Sequence, residues 1–195
     1  MKRSFRAFLA ALLIAVPVLA SCNEANNPIA PAATIERQDG LLDLVGGVVG
    51  GLVQLVGGIL TGPDANGAEQ YAWIGSDGGS ISTAAYTLTV PRGAVGTRTK
   101  FVITPANDGS YTINLEAYEQ GLLGLVNVGK RGFKKPVLLT ISYNNARGVT
   151  NEKKIGIVYL ATPDMVEIQP TVVDTRDNDV TAQLSHFSKY AMIQN

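Results

Sequence analysis

The sequence predicts an all-β fold in which residues 68–195 form an antiparallel β-sandwich. From residue 71 onward, apolar and polar residues alternate with a period of two, as expected for half-buried strands. The apolar runs are short, and Gly, Pro, Asn and Asp separate them, with no convincing amphipathic helix among them. Many short strands joined by such turns are typical of a sandwich.

The chain begins with a segment, residues 1–21, that is basic at its start and then apolar. Three basic residues precede an apolar run over residues 7–20, and Leu-Ala-Ser at 19–21 stands immediately before Cys22. A secretory signal combines a cationic start, an apolar stretch of about 7–15 residues and small residues at the cleavage site. The segment therefore resembles a bacterial lipoprotein signal peptide, which implies cleavage before Cys22, a diacylglycerol on its sulfur and an acyl chain, such as palmitate, on its new amine.

Two other interpretations of this segment are an ordinary signal peptide followed by a cysteine by coincidence, and a membrane-spanning helix. The apolar run is shorter than the ~20 residues that a spanning helix needs. Asn23 follows the cysteine, and the absence of Asp there favours the outer membrane over the inner one in enteric bacteria. We therefore expect a lipid-anchored protein of the bacterial cell envelope, at the outer membrane rather than the inner one.

The region between the cysteine and the sandwich divides into two parts. Residues 22–40 are polar and contain prolines, which predicts a lipidated, flexible tether. Residues 41–67 form a Gly-rich apolar segment and linker, which ends in the turn-forming sequence GPDANG. Three structures are possible for 41–60. The first is a membrane-associated or self-associating helix with glycines four residues apart, and the second is a pliable apolar linker. The third is a second spanning segment, which Asp43 and the glycines disfavour.

The predicted strands follow in order through the domain. The stretch at 119–135 is less regular, and it predicts one strand or a turn around 122–128. The other strands are predicted at residues 86–90, 101–104, 113–118, 137–143, 155–161, 180–184 and 189–193.

Three sequence blocks occur in order along the domain. The first, at 78–95, contains GGSI and LTVPRGAV, the second is FKKPVLLTI at 133–141, and the third is VTAQLSHFSKYA at 180–191. Together they resemble the ZU5-type β-sandwich of bacterial surface proteins, netrin receptors, ankyrins and death-domain adaptors, whose Gly-Gly turn, strand and Pro-x-Gly-Ala corner are similar to the first block. The resemblance covers about residues 71–193 and implies a ZU5-like sandwich, although Val166 stands near the place where the family pattern has an aromatic residue.

His186, Phe187 and Ser188 form the one constellation with a catalytic interpretation. In some ZU5 relatives and in nucleoporin autoproteolytic domains, the same tripeptide cuts itself between Phe and Ser. The resemblance implies attack of the Ser188 hydroxyl on the Phe187 carbonyl, with His186 as general base, to give an ester that water hydrolyses. The alternative is structural: the histidine hydrogen-bonds across the sheet, the phenylalanine fills the core and the serine lies at a bend.

Two further groups of residues have both a functional and a structural interpretation. Asp174, Asp177 and Asp179 could bind calcium, but the spacing lacks the glycine and glutamate of an EF-hand loop, so a solvated hairpin turn is favoured. Tyr71 and Trp73 could stack on a sugar, but packing in the core or at a sheet edge is the simpler expectation.

Composition excludes several classes of function. The whole chain has 16 basic and 16 acidic residues, and cleavage before the cysteine would leave 13 and 16, so no nucleic-acid partner is expected. A single cysteine and a single histidine exclude an intramolecular disulfide and a Cys- or His-rich metal site. No Gly-x-Ser-x-Gly, P-loop, dinucleotide or zincin motif is present, and we expect no cofactor and no metal.

These observations lead to one functional hypothesis and two alternatives. The hypothesis is a membrane-anchored envelope lipoprotein whose sandwich is a binding or structural module for an unknown envelope protein or glycan. The first alternative is a self-processing domain that cuts between Phe187 and Ser188. The second is a membrane-associating or self-assembling protein that acts through residues 41–60.

Overall fold

The computed structural model describes residues 53–54, 58–162 and 165–194. Over these residues the chain forms two antiparallel sheets and three short 3-10 turns, with no longer helix, so the predicted all-β sandwich is confirmed. The strands are β1 (Val53–Gln54), β2 (Gly58–Ile59), β3 (Gln70–Ile74), β4 (Gly79–Thr83), β5 (Tyr86–Val90), β6 (Thr99–Pro105), β7 (Thr112–Gly121), β8 (Gly124–Asn127), β9 (Val137–Ser142), β10 (Ile155–Thr162), β11 (Met165–Ile168), β12 (Thr171–Asp174), β13 (Asp179–Leu184) and β14 (Lys189–Gln194).

The two sheets differ in size. The large sheet has nine strands in the order β1-β11-β10-β14-β7-β6-β3, with β2 paired to β14 and β8 paired to β7. The small sheet has five strands in the order β12-β13-β9-β5-β4. The main core lies between the inner faces of the two sheets, as expected for face-to-face packing.

Alternation along the strands decides which side chains enter this core. On β5, Tyr86, Leu88 and Val90 are buried while the two threonines between them are only partly buried. The same alternation places every second residue of β9 in the core. The less regular stretch around 122–128 forms the end of the β7–β8 hairpin, as one of its two predicted structures required.

A glycine turn carries the chain from the large sheet to the small one between β3 and β4. Gly78 has φ +78, and a Cβ placed there would lie 2.5 Å from the carbonyl oxygen of Val90. Only glycine fits this backbone conformation without strain, which explains the Gly-Gly pair at the start of β4.

The folded region begins upstream of the domain boundary predicted at residue 68. Strand β2 pairs with the end of β14, and Leu60 is buried in the core. Thr61 bridges to Ser110 and Arg147, and a 3-10 turn at Pro63–Ala65 follows. Residues 58–67 therefore belong to the sandwich, because an apolar residue of the linker supplies part of its core.

The remaining predictions for the N-terminal region fall on residues that the structure does not describe. These are the signal peptide at 1–21, the lipidation site at Cys22, the tether at 22–40 and most of the apolar segment at 41–60. In the described part of the chain, no helix has the length and apolarity that crossing a membrane requires.

A second, smaller apolar cluster involves strands β10, β11 and β14 of the large sheet. Val158, Val166, Ala191 and Ile193 are buried in it, and Ile59 of β2 packs against them. Val166, the departure from the family pattern, therefore has a packing role in this cluster.

Candidate functional site

The segment at 186–188 connects β13 to β14 through a bend. The Phe187 ring is buried, with its centroid 4.7 Å from that of Phe133 and 5.7 Å from that of Phe101, both in edge-on orientations. The Phe187 backbone N–H donates to the Gly129 carbonyl at 2.8 Å. Phe187 thus fills the core, as the structural interpretation of the tripeptide requires.

His186 is half-buried and packs against aromatic rings instead of hydrogen-bonding across the sheet. Its ring meets Tyr159 edge-on at a centroid distance of 5.2 Å, and its Nδ1 lies 3.4 Å from the Ser185 hydroxyl. The Tyr190 hydroxyl donates to the His186 carbonyl at 2.7 Å, which fixes the bend in the manner of a tyrosine corner. Burial raises the pKa of Tyr190 well above its usual range, so the donor stays protonated.

The predicted self-cleavage needs the His186 ring beside the Ser188 hydroxyl. Among the residues described, no hydrogen bond links these two groups. The Ser188 carbonyl accepts the Leu115 backbone N–H at 2.9 Å, which continues the pairing of β14 with β7. A general base must come within about 2.6–3.2 Å of the proton it removes, although such contacts can tighten only in the reacting state.

The aspartates at 174–179 form the turn between β12 and β13. The Asp174 carboxylate accepts the backbone N–H groups of Arg176 at 2.9 Å and Asp177 at 3.3 Å, and Asn178 has φ 57. This arrangement is a turn stabilised by an aspartate side chain. Within the described ranges, no group of three His, Cys, Asp or Glu side chains is placed to hold a metal ion.

Tyr71 and Trp73 lie on β3, the edge strand of the large sheet, with their side chains exposed by 59% and 38%. A cation accompanies each ring: the Lys100 Nζ is 4.4 Å from the Tyr71 ring centroid, and the Arg98 Cζ is 5.4 Å from that of Trp73. Both distances are within the range of cation–π attraction. We call this surface, defined by Tyr71, Trp73, Arg98 and Lys100, the aromatic face.

The neighbouring strand extends the aromatic face toward the middle of the sheet. Lys100 pairs in register with Trp73 on one side and with Tyr118 of β7 on the other. A hydrogen bond with the Glu116 carboxylate is the largest cause of a raised pKa at the Tyr118 phenol. The face therefore presents aromatic rings, cations and a carboxylate along three adjacent strands, and aromatic residues and Arg are enriched at protein interfaces.

Sequence reasoning missed a second exposed apolar feature, the tip of the β7–β8 hairpin. Leu122 and Leu123 are fully exposed there, and Leu125 and Val126 on β8 are also exposed. The available signal was the sequence Gly-Leu-Leu-Gly, because apolar residues between turn glycines have no core to enter.

No protein-family model matches this chain, and no curated protein matches it. The lipoprotein and ZU5-like resemblances therefore stay predictions.

Proposed function

We propose that this protein is a membrane-anchored lipoprotein of the bacterial cell envelope whose β-sandwich is a binding module. The lipid on Cys22 holds it at the membrane, the outer membrane rather than the inner one, and the aromatic face contacts an envelope protein or glycan. The observation that carries the binding role is the exposure of Tyr71 and Trp73 on an edge strand, each with a cation over its ring.

Several physical features of the aromatic face support a binding role. Tyr, Trp and Arg are the residues that contribute most often to binding hot spots, because each combines a large contact area with a polar group. The edge of β3 also leaves backbone N–H and C=O groups available to a partner strand. Arg98 and Lys100 lie over the ring faces on which a sugar would stack. A partner with carboxylates or phosphates beside its apolar groups is therefore favoured, because it can contact both the rings and these cations.

The membrane part of the proposal is tested by metabolic labelling with a palmitate analogue. The wild-type chain should incorporate the label, and Cys22→Ser should lose it, since the sequence contains no other cysteine. Persistent labelling of the Cys22→Ser chain would exclude attachment at this site. A wild-type chain that is cleaved but carries no label would indicate an ordinary signal peptide.

The binding part is tested by placing a photo-crosslinking amino acid at Tyr71 in cells. We expect a defined adduct to form at this position. The matched control is Val172, which is 47% exposed on β12, the edge strand of the small sheet. Equal adducts at both positions would argue against the aromatic face as a binding surface, and the absence of an adduct at Tyr71 would argue against a protein partner there.

A glycan partner needs a separate experiment, because crosslinking to a sugar polymer is hard to resolve by mass. Trp73 is the only tryptophan in the chain, so its fluorescence reports on the aromatic face alone. Solubilised peptidoglycan should change this fluorescence if a glycan binds there, and Tyr71→Ala should weaken the response. The absence of both an adduct at Tyr71 and a fluorescence response would remove the proposal.

A further inference from the structure

The β7–β8 hairpin tip is the most exposed apolar feature of the described chain. Leu122 and Leu123 are both fully exposed at the tip, and Leu125 and Val126 are exposed by 47% and 42%. In the described chain, β8 pairs only with β7, so it is an edge strand of the large sheet at the hairpin tip. Transfer of such side chains out of water is favourable, which indicates that an apolar medium or surface receives them.

Strand register places the aromatic face and this tip toward the same end of the sandwich. Ile74 pairs with Thr99, and Thr99 pairs with Glu119, so β3, β6 and β7 all extend to this end. The β7–β8 turn begins only two residues after Glu119. Trp73 therefore lies one residue from the end of the sheet that carries the leucines.

Four other connections, β3–β4, β5–β6, β8–β9 and β13–β14, meet at this end, which we call the basic end and define by residues 75–78, 91–98, 119–136 and 185–188. Backbone hydrogen bonds join them: the Lys134 N–H donates to the Ala94 carbonyl, and the Phe133 N–H donates to the Ser185 carbonyl, both at 3.0 Å. Two carboxylates are present, Asp77 and Glu119. The exposed cations are Arg92, Arg98, Lys130, Arg131, Lys134 and Lys135.

The cations of the basic end are not neutralised within the fold. In the part of the chain that the structure covers, none of the six forms a salt bridge with a carboxylate. Arg98 lies over the Trp73 ring, and the Lys135 Nζ donates to the Arg92 carbonyl at 2.9 Å. The end therefore combines exposed leucines with positive charge that no described carboxylate pairs with, and the half-exposed Trp73 lies beside it.

The opposite end has the reverse character. We call it the acidic end and define it by residues 62–67, 105–111, 143–154 and 174–179, which contain six carboxylates and four cations. None of the exposed large apolar side chains of the described structure lies in these four ranges. The apolar tip and the excess of positive charge thus coincide at one end only.

We propose that the basic end docks on the surface of an anionic lipid bilayer. Leu122 and Leu123 enter the boundary between headgroups and acyl chains, Trp73 lies at the headgroup level, and the cations face lipid phosphates. Leucine and tryptophan side chains together with Lys and Arg are the residues that hold proteins at this interface, and basic residues near an anionic surface add attraction. The inference deepens the proposed function, since it names the surface against which the anchored sandwich lies.

A second copy of the chain fits the basic end less well than a bilayer does. A symmetric dimer would bring the same patch of both copies together, and it would then oppose six cations with six cations. Like charges across an interface are strongly unfavourable. A bilayer offers both the apolar interior that the leucines need and the negative charge that the cations need.

The linker length allows this orientation. The first described strand, β1, begins at Val53 and pairs with β11, so about 30 residues separate Cys22 from the sandwich, and an extended chain spans at most about 3.3–3.6 Å per residue. The ten residues of β7 measure only about 34 Å along the sheet at the usual rise of a strand. An anchored chain can therefore place either end of the sandwich on the bilayer.

The test uses the full chain with Cys22→Ser, in which one introduced cysteine is the only thiol. An environment-sensitive fluorophore is attached at Leu123→Cys, and the matched control is Asp177→Cys at the acidic end. Each chain is mixed with vesicles of equal parts phosphatidylglycerol and phosphatidylcholine that contain nitroxide lipids. We expect a blue shift and quenching at position 123 and neither at position 177, and the signal should fall with added salt.

Two further arms make the experiment decisive. Neutralising Arg131, Lys134 and Lys135 with glutamine should remove at least about half of the quenching at position 123, given the attraction expected per basic residue. Equal quenching at the two positions, or none at position 123, would overturn the inference. A concentration-dependent shift at position 123 without vesicles would indicate self-association through the tip and would overturn it too.

These outcomes are independent of the proposed lipidation, and Tyr71 separates them from partner binding, because Tyr71 belongs to the aromatic face and not to the proposed bilayer contact, whereas Trp73 and Arg98 belong to both. The Cys22→Ser chain carries no acyl group, so a failed lipidation test cannot cause a failed vesicle test. Tyr71→Ala is a further control, because it should weaken partner binding and leave the quenching at position 123 unchanged. Thermal unfolding of each variant confirms that the sandwich is intact.

Discussion

The two ends of the sandwich use their charged residues in different ways. At the acidic end, several carboxylates complete the turns: Asp64 accepts a hydrogen bond from Asn145, Asp108 from Ser110, and Asp174 from the Arg176 backbone. At the basic end, the six cations have no carboxylate partner among the described residues. The carboxylates at the acidic end therefore stabilise turns of the fold, whereas the cations at the basic end are available for contacts outside it.

The largest expected effect concerns the packing of Phe187 in the core at the basic end. Phe187→Ala should lower the free energy of unfolding by about 3–5 kcal/mol, because it opens a cavity beside Phe101 and Phe133. Ser188→Ala, one residue away and only half-buried, should change it by less than about 0.5 kcal/mol. Urea unfolding measures both values, and similar losses for the two variants would contradict the packing described for Phe187.

Two buried tyrosines allow the ends to be compared directly, since each hydroxyl fixes a connection. The Tyr86 hydroxyl donates to the Ala65 carbonyl at 3.1 Å near the acidic end, and that of Tyr190 donates to the His186 carbonyl at the basic end. Replacing either by Phe should cost about 1 kcal/mol at neutral pH.

Alkaline pH sharpens this comparison, because burial raises the pKa of both tyrosines above their usual value of about 10. A raised folded-state pKa means that their contribution to stability is complete below pH 10 and is lost as the pH rises above it. Chemical unfolding between pH 8 and 11.5 should show this decline. Tyr86→Phe and Tyr190→Phe should each make it shallower, and an unchanged slope would argue against burial of that hydroxyl.

Local sequence patterns predicted seven of the strands, β5, β6, β7, β9, β10, β13 and β14, whereas β3, β4, β11 and β12 were not among the predicted ranges. Long-range pairing decided the features that these patterns did not predict. The alternation in β5 and β9 identified their buried faces because each needs only five or six residues of sequence. The joining of residues 58–67 to the core was missed, since Leu60 is covered by partners far along the chain. The tripeptide at 186–188 was recognised, but its packing on Tyr159 depends on the pairing of β10 with β14.

The concentration of positive charge at one end and of negative charge at the other was also not predicted from the sequence. Total composition is balanced, so it gives no sign of a basic patch. Lys134 reaches the basic end beside Ala94 only through a backbone contact 40 positions apart in sequence. Register of this kind follows from the complete sheet, and no local pattern encodes it.

A moderate effect is expected at the β12–β13 turn of the acidic end. Asp174→Ala should lower the free energy of unfolding by about 1 kcal/mol, because two backbone N–H groups lose their acceptor. Asp177→Ala is the matched control, since the Asp177 side chain accepts no hydrogen bond in the described structure and its removal should cost less than about 0.5 kcal/mol. Equal effects of the two substitutions would mean that net charge, and not the turn, controls this end.

The smallest expected effect has the opposite sign and concerns the cations of the basic end. Lys130→Gln and Arg131→Gln should leave stability unchanged or raise it by a few tenths of a kcal/mol at low salt, because each removes repulsion from its neighbours. The gain should disappear at 0.15 M salt, where the Debye length is about 8 Å. Thermal unfolding at two salt concentrations measures it, and a clear loss of stability would show that these cations have partners within the fold. If these cations do not stabilise the fold, folding does not explain why they are present. Contact with an anionic surface would explain them, and the exposed leucines of the neighbouring hairpin tip support that explanation.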